Sequence, residues 1–391
     1  MVNAQYSATV PFSVQNADFR NIVSLDVHGK NTYVFAVDVK TGEIRFDHNV
    51  EGPVSVALKA IDRLSLGKSE TVVFYESGSC GFAPARMFAK AGYACKVIAA
   101  NSIPRKGSGK KKNDRTDAVN NFHYFMAGTL RFVNIPSESE VADREIIRYR
   151  RDLAERIGKH KQMIYAFTKR HGLVFDLGKT SWTKMHRKWL KTVAVHQSAR
   201  FVLDAYIEEL ERLEAKLSEV EKTLDGIFNT NPHYKASKEL YSLLPGIGTT
   251  NAMILVLEGG NLGRFPHPNA FMSYTGLIPG SRSSGGSNPE VSITKEGNSL
   301  LRLALVNAAS VYRDYRNVYS GSQIDAMACP IRKEFLRRLQ GRLCMRYRHL
   351  RDKGKKRGNE AKCAVARELA GFVWELATKI APKLEEYRLA A

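Results

Sequence analysis

The sequence predicts an α/β domain followed by an all-α region. Short apolar runs separated by Gly and Asn turns open the chain, alternating further on with stretches of helical spacing. From Ser137 onward the pattern changes to long helices. The intervening stretch 100–118 is basic, then acidic, and reads as a loop entering a helix.

Residues 1–20 form a polar lead-in. Asn21-Ile-Val-Ser-Leu-Asp26-Val27 reads as a buried strand; Gly29-Lys30-Asn31 turns into a second, Thr32 to Val39, and Lys40-Thr41-Gly42 into a third, Glu43 to Phe46. Ser55 to Leu66 is helical by spacing, and Thr71 to Tyr75 is an apolar strand closed by Glu76-Ser77-Gly78. A helix over Phe82–Ala91, a strand over Cys95–Ala99 and a helix carrying Asp114 and Asp117 complete the order β-β-β-α-β-α-β-α. That order is the one of an RNase H-like fold, a mixed sheet with helices on its faces.

The second half starts with Ser137-Glu138-Ser139-Glu140, a capping-box pattern opening a helix that runs past Phe167. Between Arg200 and Ile227 the residues Leu203, Tyr206, Leu210, Leu213, Leu217, Val220, Leu224 and Ile227 keep an unbroken three-four spacing. This is a heptad seam, read as an antiparallel pair with the preceding helix or as a dimerising coiled coil. The linker His171–His196 holds Trp182 and Trp189 among cations, suited either to base stacking or to a folded cap over the helix tip. Asn229-Thr-Asn-Pro232 breaks the helix. Leu244-Pro-Gly-Ile-Gly248 before the apolar helix Thr249–Leu257 has a helix-hairpin-helix pattern, or that of a packing corner. A Ser-Gly loop, Gly280 to Ser287, precedes a helix over Ser299–Tyr312; a basic stretch from Arg332 to Arg357 and an apolar closing helix over Leu369–Ile380 follow. Domains are expected at 1–20, 21–136 (catalytic), 137–235 (coiled coil) and 236–391 (C-terminal).

Composition narrows the partners. Against 39 Asp+Glu stand 60 Lys+Arg, a net charge of +21 over 391 residues, which favours nucleic acid or an anionic surface. No apolar run is long enough to span a bilayer and no secretory signal is evident, so no membrane association and a cytoplasmic location are expected. The five cysteines form no CxxC pair, which argues against a zinc site or a disulfide framework.

Four acids stand out. Asp114 and Asp117 are three apart at a helix start and share one face, so both can point at one cation. The adjoining strip Arg105, Lys106, Lys110, Lys111, Lys112 suits a polyanion, and together they suggest metal-assisted phosphoryl chemistry on nucleic acid. The alternative is an Asp-rich helix cap after a solvated loop. Asp26, inside an apolar run, is costly to bury unless paired or metal-bound, or else lies on an edge strand facing solvent. Glu76 ends a strand at the same expected sheet edge, or is an ordinary turn acid.

Together these pieces resemble the DEDD insertion-sequence transposases, a family that includes Piv/MooV-like DNA invertases and bridge-RNA-guided recombinases. The resemblance runs from Asn21 to about Asn307. It is carried by Leu25-Asp-Val-His-Gly-Lys30, Tyr75-Glu-Ser-Gly78, Asn113-Asp-Arg-Thr-Asp-Ala118, Leu244-Pro-Gly-Ile-Gly248, and Gly276-Leu-Ile-Pro279 with Ile293-Thr-Lys-Glu-Gly-Asn298. It implies that Asp26, Glu76, Asp114 and Asp117 hold Mg²⁺ in a RuvC-like domain. A serine of the C-terminal domain, Ser284 by one count and Ser283 by another, would attack DNA and form a phosphoserine link. It further implies DNA strand exchange, a homo-oligomer (dimer or tetramer) in which one subunit's acids meet another's serine, and in some members a structured non-coding guide RNA. A Holliday-junction resolvase or other structure-specific nuclease would need the acids without the serine. A non-catalytic nucleic-acid-binding protein would need neither.

Overall fold

The computed structural model describes residues 19–104, 113–280, 292–313, 318–354 and 356–390. Contacts divide the chain into two compact units, Met1–Ser137 and Glu138–Ala391.

The first unit is built on a five-stranded sheet in the order β3-β2-β1-β4-β5. Its strands are β1 (Asn21–Val27), β2 (Asn31–Asp38), β3 (Glu43–Glu51), β4 (Thr71–Glu76) and β5 (Ala94–Ile98). β1 pairs antiparallel with β2 and parallel with β4, and β4 pairs parallel with β5. β1 is therefore a central strand, and its near-continuous burial, Asn21 to Leu25, is what a strand covered on both faces requires. The alternation of its side chains divides two cores. Val23 and Leu25 pack with α1 (Val54–Arg63) and α2 (Ala83–Lys90) through Ala57, Ile61, Ala85 and Phe88. Ile22 faces the other way, into a core with Phe74 and with Ala118, Phe122 and Phe125 of α3 (Asp114–Met126).

β3 runs five residues beyond its expected end at Phe46, to Glu51. Asp47, His48 and Asn49 are poor strand formers, but β2 supplies a ladder partner for each: Phe35, Val34 and Tyr33.

The second unit is helical among its described residues, apart from one isolated β-bridge. α4 (Glu138–Arg170) and α6 (Gln197–Thr230) pack lengthwise, with α5 (Lys184–Thr192) between them in sequence. Arg150 pairs with Glu221, Lys161 with Glu214, and the Phe167 ring lies 6.2 Å from that of Tyr206, so the two run antiparallel. The heptad seam is thus covered within the chain. Its inner line is Leu203, Ile207, Leu210, Leu213, Val220, Leu224 and Phe228; Tyr206, Leu217 and Ile227 flank it. A 3.6-residue turn drifts from a strict heptad and recruits the neighbouring position at each end. The linker folds as a cap: Trp182, His186 and Trp189 cluster, and Lys161 Nζ sits 5.4 Å from the Trp182 ring.

Further helices follow: α7 (Pro232–Tyr241), α8 (Thr249–Gly259), α9 (Pro268–Tyr274), α10 (Ser299–Ala308), α11 (Gly321–Asp325), α12 (Pro330–Arg348), α13 (Gly358–Glu375) and α14 (Ala381–Ala390). The expected closing helix over Leu369–Ile380 is the end of α13 plus a π-helical turn, Leu376–Ile380, and the helix continues through α14. The first half of α13 is buried only at Ala361, Val365 and Ala366 among polar residues, a sparse stripe that an apolar run does not mark, and α14 is polar.

At the Leu244–Gly248 turn, Leu244 and Ile247 are buried and Tyr312 donates its hydroxyl to Pro245 O at 2.9 Å. Gly246 has φ +85°, and a Cβ there would lie 2.3 Å from Ala308 O. Gly246→Ala is expected to destabilise the second unit by about 1–3 kcal/mol from backbone strain alone, with the clash adding to this. A urea titration should show its unfolding midpoint falling; an unchanged midpoint would contradict the packing described.

Candidate metal centre

Period-two alternation puts Asp26 on the face of β1 that carries Ile22, the face covered by α3. The parallel pairing of β1 with β4 matches Leu25 to Tyr75. Asp26 and Glu76 follow one residue later in each strand, so they share a row and a face at the C-terminal edge of the sheet. α3 begins at that edge. Its cap is Asn113, whose side chain accepts from Arg115 N, so Asp114 and Asp117 do not serve as the N-cap. Their spacing turns both carboxylates to one side of the first turn.

The result is a cluster. His28 Nε2 lies 3.3 Å from Asp26 Oδ2 and 3.6 Å from Asp114 Oδ1. Ligand atoms of Asp26, His28 and Asp114 all fall within 4.8 Å of one another. Asn31 donates to Asp114 Oδ2 at 3.5 Å. Burial pushes the Asp26 pKa above its ordinary value; His28 opposes this, while the Asp114 and Asp117 charges add to it. A carboxylate desolvated beside two others is an arrangement that a divalent cation relieves, and the oxygen-rich donor set fits Mg²⁺ or Mn²⁺.

Asp26 is accordingly not an edge-strand residue facing solvent: β1 is central, and the Asp26 side chain is only 19% exposed. Glu76 is exposed at the end of β4 and lies outside the tight trio, as does Asp117. His28 was not singled out from sequence. Its signal was the same alternation, two residues past Asp26. Ser283 and Ser284, and the basic strip 105–112, lie outside the described residues.

The stem of the Ser-Gly loop is described in the second unit. Gly280 N donates to Ser292 O at 3.0 Å, Thr294 N to Ile278 O at 2.9 Å and Lys295 N to Gly276 O at 3.1 Å. Gly297 has φ +115°, and a Cβ there would meet Tyr274 O at 2.2 Å. Asn298 caps α10 and also donates to the buried Glu258, which Arg148 of α4 holds at 2.7 Å. On α12, Arg337 pairs with Asp325, and Arg338 and Arg342 with Glu375 and Glu368 of α13, so part of that helix's charge is spent within the chain. Among the described residues no helix is long and apolar enough to cross a membrane.

Residues 238–320 match the family described as Transposase IS116/IS110/IS902. A Sinorhizobium fredii protein named as a transposase, y4qE, is 34% identical over 372 residues, covering 92% of this chain and 90% of that one. The transposase for insertion sequence element IS1533 of Leptospira borgpetersenii is 24% identical, over 63% of this chain and 72% of its own length. The transposase for IS1111A of Coxiella burnetii is 22% identical, over 72% and 69%. The chain belongs to this family of insertion-sequence transposases.

The raised Asp26 pKa has a consequence for stability. The folded state holds this proton more tightly than the unfolded one. The stability penalty is therefore absent below the unfolded pKa, grows as pH rises through the window between the two values, and is complete above the folded pKa. Asp26→Asn should raise the melting temperature at neutral pH, by roughly 2–4 °C for each ~1 kcal/mol relieved. Added Mn²⁺ should stabilise the unmutated protein and do so less in the variant. A variant that melts lower than the parent at neutral pH would refute the crowding described.

Proposed function

We propose that this chain is a metal-dependent DNA transposase of an insertion sequence, cutting and exchanging DNA strands. The observation that carries the reading is the convergence of Asp26, His28 and Asp114, with Asp117 and Glu76 on the same sheet edge, in a member of a transposase family. The strand order, with β1 central and acids at its C-terminal edge and on the facing helix, supports an RNase H/RuvC-like reading of the first unit. Asp26, Glu76, Asp114 and Asp117 would hold Mg²⁺, with His28 beside them. A bound divalent cation would supply charge neutralisation at a transferring phosphoryl group.

Ser284 is the proposed nucleophile, Ser283 being one residue away. Its hydroxyl loses a proton as its oxygen bonds to phosphorus, and one sugar oxygen leaves and becomes a hydroxyl. The reverse attack by a sugar hydroxyl on a new partner restores the serine, so strands are exchanged without net hydrolysis. The rigid stem at Gly276–Ile278 and Thr294–Asn298 supports a loop whose two ends are fixed. The turn at Pro245–Gly248, with Gly248 exposed at the start of α8, supports a backbone contact to phosphate of the helix-hairpin-helix kind. A net charge of +21 suits DNA and equally a structured guide RNA, and a homo-oligomer belongs to the same reading.

Incubating the protein with element ends, any co-purifying RNA and Mg²⁺ tests this. Asp114→Asn should abolish strand cleavage and covalent protein–DNA adduct, by about 10³-fold or more for loss of a metal-holding charge. Ser284→Ala should abolish the adduct and leave metal binding intact. An adduct undiminished in Ser284→Ala and mapped to neither serine would defeat the serine chemistry; undiminished cleavage in Asp114→Asn would defeat the metal site.

A further inference from the structure

The capped end of the α4/α6 hairpin carries more positive charge than its ion pairs answer. Between Arg156 and Arg200 the sequence has eleven Lys and Arg against one carboxylate, Asp176. These 45 residues hold +10 of the chain's net charge of +21. Part of it is spent within the chain: Lys161 and Arg187 pair with Glu214, Lys191 with Glu211 and Arg200 with Asp204. Lys159, Lys169, Arg170, Lys179, Lys184 and Lys188 are exposed and form no ion pair with the described residues. The fold does not ask for all of them. Lys184 stands at the first position of α5, where the helix dipole disfavours a cation.

The same end exposes apolar side chains. Among the described residues, half of the large apolar side chains that face solvent fall between Met163 and Val202. Tyr165 is 65% exposed, and Val174 and Phe201 are each 77% exposed. Tyr165 lies in the last two turns of α4 and Phe201 in the first two of α6, so the antiparallel packing brings both to this end. The interior of the cap is made without them, by Trp182, His186 and Trp189. The two tryptophans that the sequence offers for base stacking are thus used inside the cap, and Tyr165 and Phe201 are the rings left at the surface. Apolar surface concentrated in one place marks an interaction site.

We propose that the capped end of the hairpin docks an unpaired DNA strand, with its phosphates on the exposed lysines and Arg170 and its bases against Tyr165 and Phe201. The inference rests on the strand-exchange reading above, in which DNA strands part from their duplex. A polyanion meets this surface with opposite charge, whereas a second copy of the chain would bring the same sign to it. Duplex phosphates alone would satisfy the lysines. Unpaired bases add a stacking partner for the exposed rings, which bases already stacked in a duplex do not offer.

The test uses the full chain and a short labelled oligothymidylate, reading fluorescence anisotropy over a range of salt. Thermal melting and tryptophan fluorescence verify that the cap is folded. Tyr165→Ala combined with Phe201→Ala should weaken single-strand binding by about tenfold or more and leave duplex binding within about twofold of the parent. Lys169→Gln, Arg170→Gln and Lys179→Gln together should flatten the log–log salt dependence of single-strand binding by about 2, the slope of three lost phosphate contacts. Should the aromatic variant melt early, the charge variant carries the test by itself. Single-strand binding that is unchanged in the folded variants overturns the proposal, and so does a parent that binds only the duplex or binds oligouridylate more tightly than oligothymidylate. Variants that keep the single strand but lose self-association, or lose uptake onto vesicles of anionic phospholipid, also overturn it. Failure of the strand-exchange reading looks different: the parent itself would then bind neither single-stranded nor duplex DNA.

Discussion

An aspartate in the central strand of a sheet is held against its own solvation. Asp26 reaches the edge of the structure only with its tip, and two further aspartates from α3 face it there. Folding alone gives no return for this arrangement. Removing any one of these carboxylates would lower the repulsion, and an apolar residue would suit the buried row of β1 better. Sites of this kind persist where the repulsion is used, and a divalent cation is the species that converts three crowded acids into an attractive unit. The placement of β4 beside β1 and the start of α3 at the same edge are what bring the acids together.

Much of the first unit was legible because its strands are short apolar runs bounded by turns. Short, near-continuous apolar runs in Asn21–Val27 and Thr71–Glu76, with the short turn at Gly29–Asn31, mark buried strands, and the order of elements then limits the topology. The end of β3 was not legible. Asp47, His48 and Asn49 form a strand because β2 lies alongside, and that information resides in Tyr33, Val34 and Phe35, more than ten residues earlier. The pairing of Asp47 was hidden for the same reason. Its partner Arg115 is 68 positions away and is embedded in an acidic motif that draws attention to its neighbours.

His28 and the helix seam show two ways a pattern can be seen and still be read incompletely. The alternation that put Asp26 on the α3 face extends to His28, although β1 itself stops at Val27. The heptad spacing of α6 was equally clear, but a seam states only that something covers it. Whether the cover is α4 or a second copy depends on the loop reversing the chain, and the residues that do so, Trp182, His186 and Trp189, form an aromatic cluster with no periodic signature. In this chain the inner face of α6 is filled by α4.

The second unit invests its buried polarity in a different place. Glu258 lies near the C-terminal end of the apolar helix α8, 1% exposed, and is tolerated because Arg148 of α4 and Asn298 at the start of α10 both reach it. Such a network adds little net stability over an apolar substitute, and its usual contribution is to select one arrangement among several. Here the arrangement selected is the stem of the Ser-Gly loop. Asn298 closes that stem through its backbone on Tyr274, caps α10 through its side-chain oxygen, and donates its side-chain nitrogen to Glu258 of α8, which Arg148 of α4 also holds. Gly276 and Gly297 allow the two stem strands to approach where any Cβ would collide with a carbonyl. The loop's two ends are therefore fixed by backbone contacts and by one buried carboxylate, while its interior sequence is free to be rich in Ser and Gly.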